Sequence, residues 1–153
     1  MNLEGFAVFQ SAQGTVFIYG DRGSNKRKST LITAFFDPQN NKIDTIEKFI
    51  IDLPIPEKSK RNIADIAIDK NGAVWTVATS DPGNNGPFKS AIYQIGHLNN
   101  VGTFNYNHHD LLKPLIVIDE QKIEAMMFKD NELVLMTDNE NNGSSYFSIK
   151  EAF

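Results

Sequence analysis

One unit of sequence occurs three times in this chain. Leu3–Phe9 leads through a turn around Gly14 into Thr15–Asp21. Ala64–Asp69 leads through Asn71-Gly72 into Ala73–Asp81. Ile123–Phe128 leads through Lys129-Asp130-Asn131 into Glu132–Asp138. Each copy reads as an acid, a short apolar run, a tight polar turn, a second apolar run and a closing acid. Asn71-Gly72 is a strong hairpin signal, because two-residue primed turns need the positive φ that Asn and Gly tolerate. The runs are nearly continuous rather than alternating, which fits strands covered on both faces.

Each unit then continues outward. Ser29–Phe36 and Ile43–Ile51 extend the first, joined by Asp37-Pro38-Gln39-Asn40-Asn41. Ser90–Ile95 and Val101–Tyr106 extend the second. Ser144–Ile149 extends the third, which lacks a fourth strand. This organisation predicts an all-β chain of about three four-stranded antiparallel meanders, the blades of a β-propeller, in a single (half-)domain over 1–153. The blades fall at approximately 1–60, 61–118 and 119–153. Common blade repeats run to roughly forty to fifty residues. The extra length lies in Leu53–Asn62 and Asn107–Gln121, read as connections between blades, with Asp110-Leu111-Leu112 opening a short helical turn. An open stack of three blades exposes an apolar face at each end. The expectation is therefore a partial ring with its missing blades supplied in cis, or half of a six-bladed propeller closed by dimerisation.

The formal net charge of −4 argues against a nucleic-acid partner, which requires a basic stripe. Lys26-Arg27-Lys28 is the single basic cluster and reads as a solvated hairpin tip rather than an anion site. The absence of cysteine excludes disulfides, thiolate chemistry and cysteine zinc sites. No apolar run approaches the length of a membrane span. Met1-Asn2-Leu3-Glu4-Gly5 is not a signal peptide, having neither a basic start nor a long apolar stretch. Periplasmic, extracellular and cytoplasmic locations all stay open.

Asn2-Leu3-Glu4-Gly5, followed by Gly20-Asp21-Arg22-Gly23, resembles the bacterial phytase-like propeller families, including the domain named for esterase-like activity of phytase. Ser80–Tyr93 is similar to a second-blade loop of that group, as is Lys122-Ile123-Glu124-Ala125 with Thr137–Gly143. The resemblance covers most of the chain, as the later half of a longer propeller. It implies a propeller fold. True propeller phytases carry a dense set of acids binding several calcium ions, with basic residues on phosphate. Here the acids are scattered and the sequence offers no matching basic lining.

The repeated acids are the leading candidates for chemistry. Glu4, Asp65 and Glu124 sit at the start of the innermost strand of each unit, and Asp21, Asp81 and Asp138 at the end of the next. Antiparallel pairing brings all six toward one mouth of a central channel. Carboxylates with carbonyls and water suit calcium or magnesium, and neighbouring carboxylates resist joint ionisation, which tunes them for acid–base work. The same acids also fit turn anchors that accept backbone N–H bonds. Asp138 and Glu140 lie in the densest oxygen-rich run, Asp138–Gly143, which lacks the spacing of an EF-hand and also fits a polar hairpin loop. Arg22 suits an anionic group or a salt bridge to a neighbouring acid. Asp81–Pro87 is expected to overhang the same mouth. His108-His109-Asp110 reads as connection sequence, since adjacent strand residues point to opposite faces. No Gly-x-Ser-x-Gly elbow occurs, and Ser24, Ser80 and Ser90 have no evident base. Trp75 and Phe17 read as core fillers.

The sequence thus points to a propeller module that binds a ligand or partner at an acidic mouth through Glu4, Asp21, Arg22, Asp65, Asp81 and Glu124, with a divalent cation such as calcium at Asp138 and Glu140. The alternative is a metal-dependent phosphoester or ester hydrolase of the phytase-like type, using Glu4, Asp21, Asp81, Glu124, Asp138 and Glu140. A third reading is a structural fragment that functions only with its remaining blades.

Overall fold

The computed structural model describes residues 2–23, 26–108 and 111–150. The chain is built from three antiparallel sheets. Sheet 1 runs in chain order through β1 (Leu3–Ser11), β2 (Gly14–Asp21), β3 (Ser29–Asp37) and β4 (Lys42–Ile51). Sheet 2 comprises β5 (Lys60–Ile68), β6 (Ala73–Ser80), β7 (Lys89–Leu98), β8 (Phe104–Tyr106) and β9 (Ile116–Asp119). Sheet 3 comprises β10 (Ile123–Lys129), β11 (Glu132–Thr137) and β12 (Tyr146–Lys150).

Sheet 2 departs from the expected four-stranded meander. Residues 107–121, read from sequence as a connection, include a fifth strand. β8 pairs with the second half of β7 (Gly96↔Tyr106, Leu98↔Phe104), and β9 returns to pair with the first half (Lys89↔Asp119, Ile92↔Ile116). The run Ile116-Val117-Ile118 satisfies the free edge of β7 that the short β8 leaves bare. The expected helical turn at Asp110 falls partly outside the described residues.

The sheets stack face to face in the order 1, 2, 3, held by two apolar clusters. Val16, Ile18 and Leu31 of sheet 1 meet Val74, Tyr93 and Ile95 of sheet 2. Trp75, Val77 and Ile92 on the opposite face of sheet 2 meet Ile123, Leu133 and Leu135 of sheet 3. The period of two in a strand places Val74 and Trp75 on opposite faces. Every residue of β6 is buried, because both faces of sheet 2 are covered. β1 and β11 alternate instead, because each end sheet is covered on one face. Trp75 fills the core, with its ring edge on Phe128 at 6.1 Å between centroids. Phe17 does not. It lies on the uncovered face of sheet 1 between Phe6 and Phe36, at centroid distances of 5.2 and 5.0 Å. Phe6, Val8 and Ile43 on that face, and Met127, Met136 and Tyr146 at the other end of the stack, are each at least half exposed.

The first strands of the three sheets run side by side. Asp65 in β5 accepts the Met126 N–H of β10 at 2.8 Å. On the other side, β1 approaches β5 so closely that a Cβ at Gly5 would lie 2.9 Å from Ile66 Cγ1 and 3.0 Å from the Ile66 backbone nitrogen. Gly5 also has φ +73, a conformation that costs an L residue roughly 1–2 kcal/mol. Gly5→Ala combines that strain with overpacking of about 1–3 kcal/mol. It is expected to lower stability by about 2–4 kcal/mol in urea denaturation, and a loss below about 1 kcal/mol would show that β1 and β5 separate freely.

Candidate functional site

The same backbone bond closes the first hairpin of each sheet. Arg22 N–H donates to Asn2 O, Asp81 N–H to Ser59 O and Asp138 N–H to Lys122 O, at 3.0, 2.8 and 3.0 Å. Two residues after each acceptor stand Glu4, Arg61 and Glu124, which are therefore the equivalent positions. Asp65 is not among them, which corrects the sequence alignment. Between Arg61↔Thr79 and Asp65↔Val77, β5 advances four residues while β6 advances two, so an irregularity adds two residues to β5. Asp65 is carried past the mouth, where it joins β5 to β10. Burial pushes its carboxyl upward, against the Met126 and Ile66 N–H bonds that favour ionisation, and Glu124 raises it further.

What assembles at the mouth is an alternation of charge rather than a ring of acids. Arg22 Nη1 donates to Glu4 Oε1 at 2.7 Å. Arg61 is bonded to Asp81, and its Nη1 lies 3.8 Å from Glu4 Oε1 and 3.9 Å from Glu124 Oε1. Lys122, only 4% exposed, is bonded to Glu140 and reaches Glu124 Oε1 at 3.2 Å and Asp81 Oδ1 at 3.9 Å. Burial opposes the Lys122 charge, but Glu140, Glu124 and Asp81 outweigh it and hold its pKa above the ordinary lysine value. Burial also raises the Glu4 carboxyl, with Arg22 and Arg61 acting against it and Glu124 adding to it. Glu4 Oε2 is buried without a hydrogen-bond partner.

Of the six ligand candidates, Glu4, Arg22, Asp81 and Glu124 share this network. Asp21 does not. Its carboxylate, 4% exposed, accepts Asn2 N–H at 3.1 Å, Gly23 N–H at 3.0 Å, and Arg27 Nε and Nη2 at 2.9 and 2.8 Å. The Arg27 fork, with the Gly23 and Asn2 N–H groups, holds its pKa far below the usual carboxylate range in spite of burial. Asp138 Oδ1 accepts Glu140 N–H at 3.1 Å, and Asn139 Oδ1 accepts Lys122 N–H at 2.8 Å. The run 138–143 therefore acts as a turn that fastens the start of β10 and presents Glu140 to Lys122. It touches the 81–87 loop, where Asn141 N–H donates to Asn84 O at 3.3 Å and Asn141 Nδ2 to Asn85 Oδ1 at 3.0 Å. Among the described residues, no group of three or more His, Cys, Asp or Glu side chains is disposed to hold a metal ion. The Ser90 hydroxyl donates to Gln121 O and accepts Ile123 N–H, tying β7 to β10. Ser24, His109 and Asp110 lie outside the described residues.

Sequence reasoning missed Arg61 and Lys122. Lys60-Arg61-Asn62 looked like connection sequence, and lysine is almost never fully buried unless paired. Lys26-Arg27-Lys28 are exposed in the loop between β2 and β3, in keeping with a solvated hairpin tip. They also line a cleft of about 900 Å³ beside the mouth, together with Arg22, Lys60 and Arg61. Comparisons with protein-family models, curated proteins and solved structures return no match. Among the described residues, no helix is long and apolar enough to cross a membrane.

Proposed function

We propose that this chain is a ligand-binding module of β-propeller type, half of a six-bladed ring completed by a second copy, and that its binding surface is the charged end of the stack. The observation that carries the binding assignment is the convergence of Glu4, Arg22, Arg61, Asp81, Lys122 and Glu124 from all three sheets beside one cleft. Each of these acids has a guanidinium or ammonium group within 4 Å. That arrangement favours recognition over metal-dependent hydrolysis, because the cations of the chain occupy the places a metal would take. The ring assignment is supported by face-to-face stacking, by first strands that run side by side, and by an uncovered apolar face at each end.

Light scattering tests both parts. The expected result is a mass twice the 17.2 kDa of one chain, with mass and melting temperature unchanged by calcium or a chelator. A stable monomer would remove the two-copy ring and leave the missing blades to be supplied in cis. A melting temperature that rises with calcium would overturn the recognition reading in favour of a phytase-like hydrolase, with Glu4, Asp81, Glu124, Asp138 and Glu140 as ligands.

A further inference from the structure

The cleft beside the mouth has a charge opposite to that of the chain as a whole. The chain carries a net −4. The cleft is lined by six cationic side chains, Arg22, Lys26, Arg27, Lys28, Lys60 and Arg61; carboxylates pair with four of them, Glu4 with Arg22, Asp21 with Arg27, Asp52 with Lys60 and Asp81 with Arg61, which leaves the cations in excess. Two stretches far apart in sequence, 22–28 and 60–61, supply these cations, so the concentration arises only on folding. Low-dielectric walls focus such a field into a concave site.

The basic groups are also held in place. Arg27 is gripped through Nε and Nη2 by Asp21, which is itself fixed by the Asn2 and Gly23 N–H groups. The Nη1 group of Arg27 is not part of that fork. Arg22 is held through its own Nη1 by Glu4. A guanidinium oriented from behind loses less freedom when it meets a ligand. Gly23 packs closely against residues 27–29: a Cβ there, at φ +78, would lie 2.6 Å from Arg27 O and 2.7 Å from Ser29 N. Ile50, exposed on β4, supplies an apolar wall, while its neighbour Ile51 points into the core. The volume falls in the range of small-molecule sites, about 300–1,000 Å³.

We infer that this cleft, between the ends of sheets 1 and 2, binds a small organic anion, with its carboxylate or phosphate head on Arg27, Lys28 and Arg22 and its apolar body on Ile50. The inference rests on the charged end being a binding surface, as proposed above. It does not rest on ring closure, because one chain provides the whole cleft.

The test is an NMR and calorimetric titration of the full chain with benzoate, phenyl phosphate and neutral benzyl alcohol. Both anions are expected to bind and to shift backbone resonances of residues 22–28 and 59–62, and benzyl alcohol is expected not to. The anion that binds more tightly identifies the head group. Raising the salt concentration should weaken binding. Lys28→Glu, at an exposed position, should weaken anion binding about tenfold while leaving the melting temperature unchanged. Arg27→Lys keeps the charge but loses the fork, and should weaken binding without exposing Asp21 to an unpaired state. Equal binding of benzyl alcohol, or anion binding unaffected by Lys28→Glu, would overturn the inference. Anion-induced shifts at the mouth but not in residues 22–28 would overturn the cleft assignment alone, and no shift at either would remove the binding surface as well.

Discussion

Replacing Lys122 with methionine is expected to cost about 3 kcal/mol of stability at pH 7, the largest single effect among the charged residues. The ammonium is almost fully buried, and Glu140, Glu124 and Asp81 surround it. Methionine fills much of the volume but leaves Glu140 and Glu124 without the ammonium, while Asp81 keeps Arg61. Removing one member of a buried ion pair typically costs about 3–5 kcal/mol. The lower end applies here, because the three acids keep between 21% and 33% exposure and partly recover their hydration. Urea denaturation measures the loss. Adding Glu140→Gln to Lys122→Met should restore part of it, since one of the stranded charges is then removed. A loss below about 1 kcal/mol would mean that the acids repack into water and that the network does not hold the sheets together. Because the Lys122 pKa is raised above 10.5, its contribution is complete below that pH and fades only as pH rises through the higher folded value.

Asp21→Asn is expected to cost about 2–3 kcal/mol at pH 7, with a change in acid stability that a packing defect would not produce. The carboxylate accepts four N–H bonds, two from backbone and two from Arg27. An asparagine turns an NH2 group toward some of these donors and loses the charge that strengthens all of them. Arg27 is 44% exposed and regains water, which limits the cost. The folded pKa of Asp21 lies far below its unfolded value of 3.8. Its stabilisation is therefore complete above that value and is lost as pH falls toward the folded pKa. Glu4 and Asp65 act in the opposite sense. Their folded pKa values are raised by burial, so the fold gains stability as pH falls through those values toward 4.5 and 3.8. The wild type should therefore gain slightly on mild acidification and then lose stability steeply below about pH 4. In Asp21→Asn the steep limb should shrink while the mild gain persists. Thermal unfolding across that range measures both, and an unchanged acid limb would remove Asp21 as its source.

The three hairpins were legible in the sequence because each carries its own turn chemistry. Asn71-Gly72 and Lys129-Asp130-Asn131 sit between apolar runs that have no other way to close. The continuous run Ala73–Ala78 also signalled a strand covered on both faces, and β6 is buried along its whole length. The gathering of Glu4, Asp81 and Glu124 at one end followed from antiparallel pairing alone. The equivalence of Arg61 with those glutamates did not, because β5 holds two extra residues where β1 and β10 hold one each, a change of register that leaves no mark in composition. Asp65, four positions on, supplied a false match. β9 was hidden for a related reason. A four-residue run beyond Pro114 resembles a connection until the short β8 is known to leave half of β7 unpaired. Only part of the basic cleft was visible: Lys26-Arg27-Lys28 stands out as a cluster, but Lys60 and Arg61 join it only through folding.

The covering of β6 on both faces has a consequence for how damage spreads through the molecule. Among the described residues, sheets 1 and 3 have no direct apolar cluster in common, and each is anchored through sheet 2. A lesion in an outer sheet loosens one seam. A lesion at Val74 or Trp75, neighbours in sequence that serve opposite seams, weakens one clamp directly and the other through the shared backbone. The middle sheet thus behaves as a keystone, and the chain's tolerance to mutation should fall toward its centre and rise toward both flanks.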